Sequence, residues 1–175
     1  TIESSNRKGS PWASVVVYSY DKDWNLYFLS IPSSNHCQNI KNNKKVVIAI
    51  FDSRQLFGQG VGLQIEGDAT EAKPKDTAKF IKIYFDRKFP YDGSSHNSED
   101  YIKQFTDKGS VYGCYKIIPR KVWMNDPNNK IDTRVAVKLN LNDWSIDQSM
   151  HHARLVSKKP FFRDMSKCCR KRVFN

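Results

Sequence analysis

The chain has 175 residues, with 29 Lys and Arg against 18 Asp and Glu for a net charge of +11, and it is 39% hydrophobic and 13% aromatic. That length suits one domain around one core. The charge content and the absence of any apolar run near the ~20 residues of a spanning helix argue against a membrane protein, and the aromatic content argues against a wholly disordered chain.

The opening Thr1-Ile2-Glu3-Ser4 has neither the basic nor the apolar part of a signal peptide. The cytoplasm is therefore the expected compartment. Because Thr1 is not an initiator Met, the numbering is expected to begin partway into a longer chain. Residues 148–175 hold eight basic side chains against Asp164 alone, a net +7 that leaves +4 on the other 147 residues. A nearly balanced domain over residues 1–141 with a basic extension over residues 142–175 is the organisation this implies.

Residues 11–20 open the readable order with Trp12, Ser14, Val16 and Tyr18 on one face and Ala13, Val15, Val17 and Ser19 on the other. This β-branched and aromatic run predicts a central strand buried on much of both sides. Before it, residues 5–10 form a turn after the end of an earlier strand. After it, residues 21–25 supply turn chemistry and residues 26–31 return as the second arm of a hairpin.

Ser33 or Ser34 can cap a short helix running to Lys41, with Ile40 inward and Asn42-Asn43 ending it. Residues 45–51 read as an apolar strand and residues 63–69 as an alternating one. Thr77, Phe80, Ile81, Tyr84 and Phe85 then make the stripe of an amphipathic helix that Pro90 stops. A polar loop over residues 91–97 precedes a short helix near residues 98–105. Residues 111–118 and 120–124 are strands around Pro119, which belongs at an edge or a bulge, and residues 133–141 form the last strand. The fold class expected is mainly β with flanking helices (α+β), a six-stranded antiparallel barrel.

No phosphate-loop glycine pattern, metalloprotease helix or local Ser-His-Asp arrangement is present. Cys37, Cys114, Cys168 and Cys169 read as reduced thiols. A zinc site from His151, His152, Cys168 and Cys169 lacks the spacer that turns paired ligands toward one metal. The feature that stands out is a strand ending in Ser30 followed by Ser33, Ser34, Asn35 and His36 at a helix start, where backbone N–H groups and hydroxyls can hold a phosphate or carboxylate. Plain helix capping is the competing reading.

In their order, residues 11–21, 26–30, 34–43, 46–51 and 62–69 resemble the FMN-binding split barrel of the pyridoxamine 5'-phosphate oxidase-like superfamily. The later segment Val122-Trp123, Lys130-Ile131 and Arg134 is similar to the closing Trp and Arg region of those oxidases. The resemblance covers residues 1–141. It implies FMN as cofactor, a homodimer with two FMN sites built from both chains, and an FMN-dependent oxidoreductase acting on a small molecule.

It further implies that Ser14, Tyr18, Leu29, Ser30, Ser34, Asn35 and His36 hold the ribityl phosphate and one edge of the ring. Trp123 and Arg134 of the other chain would close over the flavin, Gln64 would lie on the inward face of its strand, and Lys130 would contact a substrate anion. Ala13 and Tyr18 stand where the oxidases have phosphate-binding basic residues, and Asn35-His36 replace an Arg-Lys pair, a loss of charge-assisted contacts that weakens FMN retention. Two alternatives stand beside this: a non-catalytic flavin or haem carrier of the same fold, with His36 or His96 as a haem ligand, and nucleic-acid contact through the tail, where Phe161, Phe162 and Phe174 lie among basic residues.

Overall fold

A computed structural model describes residues 1–52, 54–56, 61–85, 102–103, 105, 110–126 and 133–139. Strand β1 (Ile2–Ser5) turns back into β2 (Pro11–Ser14) through a loop in which the Asn6 side-chain carbonyl accepts the N–H groups of Lys8 and Ser10. Gly9, at φ 82°, supplies the left-handed residue this turn requires. Strand β3 (Tyr18–Tyr20) and β4 (Leu26–Ser30) form the expected hairpin.

The β3–β4 turn is organised by Asp21. Its carboxylate accepts the N–H groups of Asp23 and Asn25, the Asn25 amide and, at 2.7 Å, the Tyr27 hydroxyl. Trp24 is held at φ 63°, a conformation costly for a bulky residue, and its ring stacks on Tyr20 with centroids 6.0 Å apart.

Helix α1 (Asn35–Asn42) follows with Ser34 at its N-cap, Ile40 buried and Asn43 at its C-cap, as the sequence predicts. Strands β5 (Lys45–Phe51) and β6 (Gly62–Glu71), helix α2 (Pro74–Phe85), strand β7 (Gly113–Asn125) and strand β8 (Arg134–Val137) complete the described chain. All the strand pairs are antiparallel, in the order β2-β1-β5-β6-β7-β4-β3, with β8 on β7 beyond the end of β4.

This order corrects the reading of residues 11–20 as one central strand. Their two halves, β2 and β3, sit at opposite ends of the sheet path although only three residues separate them in the chain. Val15, Val16 and Val17 therefore join one edge to the other, and the sheet curls into a split barrel. Val15 is 88% exposed at this join. A β-branched run specifies extended backbone but not whether the strand lies inside a sheet or along its seam. With β2 and β3 counted as one interrupted strand the barrel has seven strands rather than the expected six, or eight segments as they pair.

The predicted strands on either side of Pro119 are one, β7. Its register with β6 shifts between Glu66 and Gly67, so Glu66 faces Lys121, Gly67 faces Pro119 and Arg120 is the extra residue of a bulge. The bulge, together with the gap between the stretches of β7 that pair with β4 (113–117) and with β8 (122–125), accommodates the proline. Inside the barrel, Ile2, Phe28, Ile48, Ile65, Ile117 and Val122 form the core with Cys37 and Ile40 of α1. Helix α1 packs on β1, β2 and β6, while α2 covers β3, β4 and β7, where Phe80 meets the ring of Tyr27 edge-on.

Cys37 and Cys114 are buried free thiols, and burial pushes the Cys114 thiol up to about 11. Among the described residues, no helix is long and apolar enough to cross a membrane. Pro90, His96, the loop over residues 91–97, Lys130, the residues considered for zinc and the whole basic extension lie outside the described residues, as does most of the helix expected near residues 98–105.

Candidate functional site

Four residues singled out in the sequence meet at the start of α1. The imidazole of His36 lies with Nδ1 3.0 Å from Ser14 Oγ of β2 and Nε2 2.8 Å from Ser30 Oγ of β4, and Ser34 Oγ is 3.3 Å from the same Nε2. Trp12 extends the chain, donating from Nε1 to Ser14 Oγ at 3.0 Å. Burial lowers the basicity of His36, so the ring is neutral at neutral pH, with one N–H and one lone pair between the two hydroxyls. His36 thus ties the two sides of the barrel seam together through side chains, with Phe28 of β4 beside its ring.

The main chain next to this cluster is open. Val15 and Val16 belong to neither the β1–β2 nor the β3–β4 ladder, and neither makes any other backbone hydrogen bond among the described residues. Backbone N–H and C=O groups outside both ladders are a hydrogen-bonding surface that a partner can use. The sequence gives no sign of it, because three consecutive valines read as continuous strand. Trp12, on one face of this strand, is 46% exposed.

A second group forms on the outer face of the barrel. Gln64 of β6 is directly opposite Trp123 of β7, and Arg134 of β8 donates from Nε to Gln64 Oε1 at 3.0 Å. The ammonium of Lys121 lies 5.9 Å from the centre of the Trp123 ring while also pairing with Glu66 at 3.4 Å. Alternation along β6 places Ile65 in the core and Gln64 on the opposite side, which corrects the expected inward orientation of Gln64. Glu66 and Asp68 share that outer face as ion-pair partners of Lys121 and Arg120.

The remaining predicted residues are more dispersed. Tyr18 lines an apolar hollow of about 140 Å³ inside the barrel, together with Ile2, Val16, Phe28 and Ile48. Leu29 shares the face of Tyr27, toward α2 and away from His36, because Phe28 and Ser30 take the other side of β4. Asn35 is exposed at the first position of α1. No group of His, Cys, Asp and Glu among the described residues could hold a metal ion.

No protein-family model matches the chain, and no curated protein matches it in sequence. Solved structures do match in shape. A heme binding protein from Mycobacterium smegmatis superposes with TM-score 0.59 at 13% identity, over 80% of this chain and 52% of its own, so the chain spans about half the length of that relative. PhzG from Burkholderia lata, solved with tetrahydrophenazine-1-carboxylic acid, gives 0.53 at 13% identity over 83% of this chain and 78% of its own. A pyridoxamine 5'-phosphate oxidase-related, FMN binding protein from Nostoc punctiforme gives 0.50 at 12% identity over 78% and 85%. At these identities the likeness is one of architecture: the chain has the split-barrel fold of the pyridoxamine 5'-phosphate oxidase-like proteins.

Proposed function

We propose that the chain binds FMN at an interface between two copies of itself and acts as an FMN-dependent oxidoreductase on a small molecule. The observation that carries this reading is the open main-chain edge at Val15 and Val16 beside the hydroxyl-lined start of α1. The pyrimidine edge of a flavin alternates carbonyl acceptors with an N–H donor, the complement of unpaired backbone N–H and C=O groups. The hydroxyls of Ser14, Ser30 and Ser34, with the first N–H groups of α1, fit the phosphate. FMN, when bound, supplies the electron-transfer chemistry, and the protein's part is to bind, orient and shield it.

In this reading the site draws on two copies. Within one chain the His36 cluster lies at the barrel seam, where Ser30 pairs with Gly113, ten residues along β7 from Trp123, whereas Gln64, Trp123 and Arg134 lie on the outer face. A partner's Trp123 and Arg134 would roof the ring, and Lys130 would meet a substrate anion. A haem-carrier reading draws on the heme binding relative, but His36 is 91% buried with both nitrogens engaged by hydroxyls and offers no ready ligand to iron.

Titration with FMN, followed by flavin fluorescence and gel filtration, tests the binding. Saturable quenching at one FMN per chain of a dimer is expected, and a folded protein that shows no saturable binding overturns the reading. Reduction of the bound flavin by a nicotinamide, with reoxidation by an added acceptor, tests the activity. FMN that binds but cannot be turned over identifies a carrier.

A further inference from the structure

We infer that His36 is the positioning residue of a proton-linked anion site, whose imidazole takes up a proton when the phosphate of the ligand binds and so supplies the positive charge that the site otherwise lacks. This rests on the FMN reading above and adds how the phosphate is neutralised. The ring is enclosed by oxygen on both sides, with Ser14 Oγ at 3.0 Å, Ser30 Oγ at 2.8 Å and Ser34 Oγ at 3.3 Å. Each of these oxygens can either donate or accept.

In the neutral state one hydroxyl donates to the ring's lone pair, and the cluster satisfies itself. In the protonated state both ring nitrogens donate. The hydroxyl hydrogens of Ser14, Ser30 and Ser34 then turn away from the ring, toward an anion placed at the start of α1. One added proton thus changes the cluster from a closed network into three outward donors backed by a cation.

The groups around the ring leave His36 as the one able to do this among the described residues. From β2 it meets Ser14, behind which stands Trp12. From β4 it meets Phe28 and Ser30, with Tyr115 of β7 stacked on the far side of Phe28 at 5.0 Å. From α1 come Ser34 and, one position after His36, the Cys37 thiol, which is hydrogen-bonded to Tyr115. None of these is a carboxylate, ammonium or guanidinium, and burial is what lowers the basicity of the ring in the absence of an anion. An entering phosphate opposes that effect by direct attraction.

The test is calorimetric titration of the protein with FMN in buffers of different ionisation enthalpy between pH 5 and 9, on the wild type and on His36→Gln, whose amide keeps contact with the serines. Subtracting the variant removes the titration of the phosphate itself, whose second pKa is about 6. A wild-type uptake of up to one proton per FMN near neutral pH, lost in the variant, is expected. The wild type should lose affinity by up to about tenfold per pH unit between the free-state and bound-state midpoints and level off above the latter, while the variant lacks that slope.

FMN binding with identical proton counts in the two proteins overturns the inference and leaves the FMN reading standing. No FMN binding by the folded wild type overturns both. Should His36→Gln fail to fold, an NMR titration of the His36 ring in the wild type decides: a midpoint higher with FMN than without it supports the inference, and an unchanged or lower one overturns it.

Discussion

Gly67 of β6 lies directly opposite Pro119 of β7, at the point where the register of the two strands shifts by one residue. A Cβ added to Gly67 would come within 2.9 Å of both the Ile118 carbonyl oxygen and Ile117 Cγ2. The first is backbone held in the β6–β7 ladder and cannot swing aside. Gly67→Ala is therefore expected to destabilise the barrel by about 1–3 kcal/mol, as overpacking does. Denaturant unfolding checks it through a lowered midpoint with an unchanged slope.

Much of this architecture is legible in the sequence where period and punctuation agree. The Val46-to-Ile50 run, the helix beginning after Ser34 and the Pro119 irregularity are local features, and each occurs where local chemistry places it. What residues 11–20 do is not local. Their side chains specify extended backbone, but the break at Val15 to Val17 arises because β1 and β4 claim the two halves from opposite ends of the sheet.

The candidate site divides along the same line. Ser30, Ser34 and His36 are close in sequence and meet in space, and Ser14 joins them through the β1–β2 hairpin. Gln64, Trp123 and Arg134 also meet, though Gln64 proves to face outward, because strand parity depends on which neighbour fills the core. Tyr18 and Leu29 stand with Ser14 and Ser30 in the resemblance, yet a break in the strand places Tyr18 at the barrel interior and the opposite parity places Leu29 away from His36.

Ser19 on β3 is fully buried, and its hydroxyl has no hydrogen-bond partner among the described residues. Removing a desolvated, unpaired hydroxyl without changing shape is neutral or favourable. Ser19→Ala is expected to raise stability by about 0.5–1.5 kcal/mol. A lowered unfolding temperature would show that the hydroxyl is bonded in solution.

Asp21 links stability to pH. Burial pushes its carboxyl up, but the combined hydrogen bonds from the Asn25 and Tyr27 side chains and from the backbone N–H groups of Asn25 and Asp23 outweigh burial and hold it below its usual range. A carboxylate depressed in the folded state stabilises above its unfolded value, about 3.9, and loses that contribution as pH falls through the folded one. The acid limb of the stability profile is expected to be less steep in Asp21→Asn than in the wild type, with a lower plateau at neutral pH. Parallel profiles would exclude Asp21 as a source of the acid sensitivity.

The proposed two-chain site makes a prediction that a site contained in one chain cannot reproduce. Ser34→Asp puts a negative charge where the phosphate is expected while keeping a favourable N-cap at a position that has no side-chain cap bond. Trp123→Ala removes the roof on the outer face, an aromatic contact worth tenfold or more in retention, or about 1.4 kcal/mol. Each variant alone should bind FMN poorly. Unfolded together and refolded as an equal mixture, they should form heterodimers in about half of the dimers, each with one site combining an intact Ser34 and an intact Trp123. FMN capacity is then about a quarter of the wild-type value at wild-type affinity. A mixture no better than the separate variants would place both residues in the same chain's site, or one of them outside any site.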